Sequence, residues 1–156
     1  MSNVDLKVGV LASHKGSLLL IKEINTEDNI HYWNIIKGTF NPKKDKNLLA
    51  TAHREAIEEA GVKILIKGFL GVMTKSKKES TTIQINLVAD LINKKFNLAS
   101  RDKQIEEGED ICDVKFFTKK ELKKMKKNMF LNERAFTATR EWLEGRKSNI
   151  SILKFF

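Results

Sequence analysis

The sequence predicts a mixed α+β layer arrangement in a single domain spanning residues 1–156. Three observations carry that reading. Apolar, β-branched-rich runs of strand length outnumber helical patterns. One helical pattern, at 48–60, sits inside the strand series, and two more follow at the end of the chain. A phosphate loop of the GxGxxG or GxxxxGK[ST] kind, which would point to a doubly wound parallel sheet, does not occur.

"KVGVLAS" and "SLLLIKE" are strands separated by the tight turn "HKG". The polar "INTEDNI" reads as a loop, and "HYWNIIKG" as one short strand ending at Gly38. "TFNPKKDKN" holds the only proline and is a loop, closed by Asn47 as N-cap of a helix over 48–60, with Gly61 as its C-terminal stop. "VKILIKGFLGVMT" and "TTIQINLVADLI" are strands joined by the hairpin loop "KSKKES". In the second, Ile83, Ile85 and Leu87 alternate with Gln84 and Asn86, which predicts one apolar and one polar face. Residues 93–110 read as a long polar loop and "ICDVKFF" as a further strand. Thr118 would cap a basic helix, "KKELKKMKKNM". In the last helix, "NERAFTATREWLEGR", Phe136, Thr139, Trp142 and Leu143 recur at helical spacing and should dock on the core. The closing "ISILKFF" is apolar enough to pack against the domain.

Hydrophobic residues make up 41% and charged residues 31% of the 156, enough for one real core. No apolar segment reaches the roughly 18 residues needed to span a bilayer. The N-terminus lacks a basic region followed by a long apolar stretch, so no signal peptide is expected. Cys112 is the only cysteine; it excludes an internal disulfide framework and fits a cytoplasmic location. It reads as a small strand residue rather than a nucleophile. The net charge of +9 favours anionic partners such as nucleotides, polyphosphates or RNA, without choosing among them.

The stretch "HREAIEEAGV" raises the functional question. On a helix, Glu55, Glu58 and Glu59 project from one face within a single turn, where like charges repel unless something positive meets them. Such a face is either a solvated stripe or a set of hard oxygen ligands for a divalent cation. Arg54, four residues before Glu58, is placed to hold one carboxylate in position.

The same stretch resembles the conserved box of the Nudix hydrolases: Gly, five residues, Glu, seven residues, then Arg-Glu-aliphatic-x-Glu-Glu-x-Gly-aliphatic. Arg54 through Val62 matches every fixed residue of the second half. Lys37-Gly38 resembles the end of the preceding family strand, and Phe116-Phe117 with Glu121-Leu122 the late strand and the segment after it. The first half departs: Lys44 stands where the family has glutamate, and the loop from Gly38 to Arg54 holds fifteen residues rather than thirteen. Asn41 also stands where many members have a glutamate. Asp45, on that longer loop, is the carboxylate that could reach in to compensate.

The resemblance implies an α/β/α sandwich, a mixed sheet between helices. It also implies hydrolysis of a pyrophosphate bond in a nucleoside diphosphate linked to another group, assisted by Mg²⁺ or Mn²⁺. Glu58 and Glu59 would hold the ion, with Glu55 as a further ligand or the base and the Lys37 carbonyl as an extra ligand. An acid from the loop before the late strand would complete the site, and Glu109 is the choice among Glu106, Glu107, Glu109 and Asp110. Lys37, Gly38, Lys43 and Lys44 would meet substrate phosphates, and Tyr32 and Trp33 could stack on a base, though Trp33 also reads as core. His53 reads as a surface residue. Because Lys44 replaces the box glutamate, a catalytically impaired module that binds nucleotide or RNA is the alternative, and cleavage of a 5′ pyrophosphate on RNA a third reading.

Overall fold

A computed structural model describes residues 3–92, 101–108 and 110–155. Seven strands form one mixed sheet: β1 (Asn3–His14), β2 (Ser17–Asn25), β3 (Ile30–Asn34), β4 (Ile36–Thr39), β5 (Ile64–Lys77), β6 (Ser80–Leu91) and β7 (Ile111–Thr118). The main path runs β3-β2-β1-β6-β5, with β4 pairing β1 and β7 pairing β2. Only β1 and β6 run parallel; the other pairs are antiparallel. Helix α1 (Leu48–Ala60) covers one face, and α3 (Lys119–Lys124) with α4 (Glu133–Leu143) covers the other. The expected α/β/α sandwich is observed.

Two apolar layers hold these parts together. Val8, Val10 and Ala12 point from β1 toward Ala52, Ala56 and Ala60 of α1. Leu11 points the other way, into a layer with Ile35, Phe130, Ala138 and Trp142. Successive residues of a strand alternate faces, so one strand feeds both layers.

The β1–β2 turn puts Lys15 and Gly16 at positive φ, 47° and 77°, the backbone that a two-residue hairpin requires. Past that turn the two strands diverge and pair only at Ser13↔Leu18 and His14↔Ser17. That divergence explains the first difference from expectation. The stretch 30–38 is two strands, β3 on β2 and β4 on β1, broken at the fully buried Ile35.

Other differences have local causes. Strands β5 and β6 run through most of "KSKKES", pairing Lys75↔Thr82, Ser76↔Thr81 and Lys77↔Ser80, so only Lys78 and Glu79 turn. The stretch expected to be loop before β7 holds α2 (Arg101–Glu107), anchored by buried Gln104, whose Oε1 accepts from the Ile111 N–H. The basic helix stops at Lys124 because Met125 turns extended and buries in the core; a single 3-10 turn follows at Lys127–Met129. Gln84 and Asn86 are buried rather than solvated, because α4 covers the face of β6 that alternation had marked as polar.

The predicted caps hold. The Asn47 side chain accepts from Ala50 N, and Gly61 sits left-handed at φ 64°, donating back to the end of α1. Thr118 and Glu121 form a reciprocal capping box on α3. Thr139 and Trp142 of α4 are buried, with Phe136 and Leu143 packed beside them. Of the closing segment, Ile150 and Leu153 pack on the α1-side layer, Ile152 and Phe155 stay exposed, and Phe156 lies outside the described residues. Among the described residues no helix is long and apolar enough to cross a membrane.

Candidate active site

The last two turns of α1 and strand β4 bring the box residues together. Val8↔Gly38 pairing puts β4 beneath the helix, and Glu55 comes down onto Gly38. A Cβ at position 38 would stand 1.7 Å from the Glu55 carboxylate, so any side chain there would expel Glu55. One turn on, Glu59 accepts from the Lys37 N–H at 2.8 Å. The β4 backbone thus fixes two of the three glutamates.

Arg54 organises the rest. Its Nη1 donates to Glu55 at 2.6 Å and to Glu58 at 2.8 Å, so one nitrogen joins two carboxylates. Its Nε and Nη2 form a bidentate pair with Asp45, at 2.8 and 2.9 Å. Asp45 also accepts from Asn41 N and from the Thr51 hydroxyl, and is 4% exposed. These donors, the Arg54 guanidinium first, pull the Asp45 carboxyl down to about 2, and Asp45 in turn holds the Arg54 proton more tightly than usual. Asp45 therefore holds Arg54 from the loop that carries Lys44. Lys44 itself is exposed at the groove rim.

Glu55 is different. Burial raises its carboxyl above the ordinary range, although Arg54 opposes the shift. Glu58 is the most open of the three, with 20% of its side chain exposed.

These residues line a groove of about 650 Å³ shared with Lys7, Lys37, Gly38 and Lys44. Glu106 and Asp110 reach it from α2 and the residues after it. Glu109 lies outside the described residues, as does the side chain of Glu107. Sequence reasoning missed Glu23 and Lys7. Glu23 sits at an irregularity in the β2–β7 ladder, accepts from Asn34 Nδ2, and faces the Lys37 ammonium at 3.4 Å. Nothing in the chain around either residue distinguishes it from an ordinary strand charge.

The structure does not bring Tyr32 into the groove. Its hydroxyl donates to Asp28 at 2.7 Å, and its ring lies in a separate depression beside Lys127 and Phe130. That placement corrects the expectation of base stacking at this site. Trp33 packs edge-on against Phe117 at 4.7 Å, as core, and Lys43 is exposed outside the groove. His53 is exposed, and Cys112 is an exposed strand residue.

Could this set hold a divalent cation? Among the described residues no three His, Cys, Asp or Glu side chains gather as a ready-made cage, and the Arg54 guanidinium bridges Glu55 and Glu58. The donors are all hard oxygens, however, and Gly38 leaves the space that Glu55 occupies. That chemistry suits an ion such as Mg²⁺, which keeps waters and substrate phosphates and rarely takes an all-protein cage. The residues fit.

The NUDIX domain model matches residues 5–139, most of the chain. The chain belongs to the NUDIX family, a family of pyrophosphate-bond hydrolases. Solved structures share the fold at low identity. A NUDIX hydrolase from Nitrosomonas europaea superposes with a TM-score of 0.78 at 17% identity, covering 100% of this chain and 98% of that one. The MutT protein from Methanosarcina mazei Go1 gives 0.68 at 18%, covering 92% and 95%. The NUDIX domain of Shewanella oneidensis NrtR, complexed with ADP ribose, gives 0.67 at 13%, covering 93% and 88%. No curated protein matches the chain.

Proposed function

We propose that this chain hydrolyses a pyrophosphate bond in a nucleoside diphosphate linked to another group, with Mg²⁺ or Mn²⁺ held by Glu58 and Glu59 and with Glu55 as a further ligand or the base. The observation that carries the reading is Asp45: it supplies the support that the altered half of the box lacks, so Arg54 still gathers the glutamates. A bound divalent ion would neutralise charge on the pyrophosphate and lower the pKa of a bound water. Lys7, Lys37 and Lys44 line the same groove and would draw the phosphates in. Glu55, its carboxyl raised by burial, is suited to take a proton from the attacking water. Glu23 holds the Lys37 ammonium in place. Glu106 and Asp110, at the groove rim, are candidates for the completing acid in place of Glu109.

The test is product release from nucleoside triphosphates, dinucleoside polyphosphates, nucleotide sugars and 5′-triphosphorylated RNA, with Mg²⁺ or Mn²⁺ and with chelator. Metal-dependent turnover that Glu58→Gln removes supports the reading. Retained nucleotide binding without turnover on any substrate would instead make the chain a binding module. Affinity for RNA that barely changes between low and physiological salt would count against an RNA substrate.

A further inference from the structure

The hydrolytic groove has two walls of opposite charge. Helix α1 gives it the carboxylates of Glu55, Glu58 and Glu59, while β1 and β4 give it the ammoniums of Lys7 and Lys37. Most of these charges are met inside the protein. Arg54 holds Glu55 and Glu58, the Lys37 N–H holds Glu59, and Glu23 faces the Lys37 ammonium at 3.4 Å. Lys7 is the exception. It is half-buried, and among the described residues its ammonium makes no hydrogen bond or ion pair.

The sheet register sets Lys7 and Lys37 side by side. Lys37 pairs with Gly9 and Lys7 with Thr39, so the two lysines are diagonal neighbours on one face of the sheet. Such neighbours stand about 7–8 Å apart, close enough for two long side chains to converge on one group. Burial depresses the Lys7 ammonium, with Lys37 and Arg134 adding to the effect against Asp5 and Glu55. A half-buried cation beside another cation is stabilised by an anion that reaches both. Both lysines line the groove of about 650 Å³, a size that takes small ligands, so such an anion has a way in.

We propose that Lys7 and Lys37 form a subsite for a terminal phosphate, so that the groove selects nucleotides ending in a triphosphate over those whose diphosphate ends in a sugar. The proposal rests on the reading of the chain as a nucleotide pyrophosphohydrolase and names the group beyond the cleaved bond. An ammonium offers donors only, three from each lysine. A terminal phosphate offers three acceptor oxygens and about two charges, which suits two convergent ammoniums. A phosphate esterified on both sides offers fewer free oxygens and less charge. A sugar in the same place is neutral and would leave Lys7 half-buried without a counter-charge. A site built for a polar group discriminates in this way, because the wrong ligand leaves its partners unpaired. Lys44, exposed at the rim, adds a further cation to draw the chain of phosphates in.

The test is the ratio of kcat/KM between a nucleoside triphosphate and a sugar nucleotide of the same base: ATP with ADP-glucose, GTP with GDP-mannose, UTP with UDP-glucose. Each pair shares its nucleoside, so the ratio reads the terminal group alone. In the best pair it should favour the triphosphate at least about tenfold, and Lys7→Met should lower it about tenfold, acting through KM. Lys7→Arg, which keeps the charge, should preserve it. Lys7→Gln covers the case in which Lys7→Met does not fold. A wild-type ratio near one overturns the proposal, and so does a Lys7→Met chain that keeps the wild-type ratio. Running 5′-triphosphorylated RNA alongside shows which molecule carries the triphosphate end. Turnover of either that depends on Lys7 supports the subsite, and turnover of both without that dependence overturns it. If nothing turns over, the proposed function falls, and the subsite is judged by calorimetry with inorganic triphosphate and Mg²⁺. Binding that Lys7→Met weakens about tenfold supports it. No binding, or binding that the substitution leaves alone, overturns it.

Discussion

Asp45 and Gln84 are both almost completely buried, at opposite sides of one sheet, and their surroundings differ. Asp45 meets a bidentate guanidinium, a backbone N–H and a hydroxyl. Gln84 meets one amide and keeps an oxygen without a partner. On the α1 side the fold itself offsets the cost of burying charge, so removing a partner should destabilise. On the α4 side part of the cost stays open, since Gln84 Oε1 and Asn86 Nδ2 have no partner among the described residues.

The largest effect should come from the groove. Glu58→Gln keeps an acceptor for Arg54 but loses a ligand charge. Turnover should fall at least about 100-fold, since even supporting partners of a metal site cost 10- to 100-fold. Melting should hardly move, because this side chain is the most open of the three. A Glu58→Gln chain that still turned over at the wild-type rate would remove the metal site from this helix face.

Asp45→Asn comes next. The displacement of its carboxyl from 3.8 to about 2 corresponds to about 2 kcal/mol of stability. Denaturant unfolding at neutral pH should show that loss, with turnover down roughly 10- to 100-fold as Arg54 loosens its hold on Glu55 and Glu58. The pH dependence follows from the sign of the shift. A carboxyl depressed on folding stabilises above its unfolded value and loses that contribution as pH falls through its folded value. The stability gap between wild type and Asp45→Asn should therefore be full above about pH 4 and close toward pH 2. A gap that persists at pH 2 would mean that Asp45 acts by shape and not by charge.

The smallest change is Lys44→Glu, which restores the family residue at that position. Because Asp45 already holds Arg54, the new glutamate has no empty role to fill, and stability should stay within about 0.5 kcal/mol. KM for a polyphosphate substrate should rise a few-fold as one cation leaves the groove rim. A gain in kcat would show instead that Asp45 is an incomplete substitute.

The legible parts of the molecule were those with local causes. The cap at Asn47, the left-handed stop at Gly61, the amphipathic last helix and the crowded glutamates all follow from residues within a few positions of one another. Apolar periodicity likewise located most strands. The split of residues 30–38 into β3 and β4 was not local: it arises where β1 and β2 diverge and each takes its own partner. The short helix α2 was hidden because one buried residue, Gln104, anchors an otherwise polar stretch.

By itself the sequence determined the family, the layered α+β class and the Arg54–Glu55–Glu58–Glu59 face, since helical spacing brings those side chains together without help from the rest of the chain. Tertiary structure alone decided that Asp45 returns to Arg54, that Glu23 and Lys7 stand in the groove, that Tyr32 does not, and that Gln84 and Asn86 lie buried under α4. The physical reason is distance along the chain. A periodicity shows which side of a strand or helix is polar, but whether that side meets water, a partner or another layer depends on elements tens of residues away.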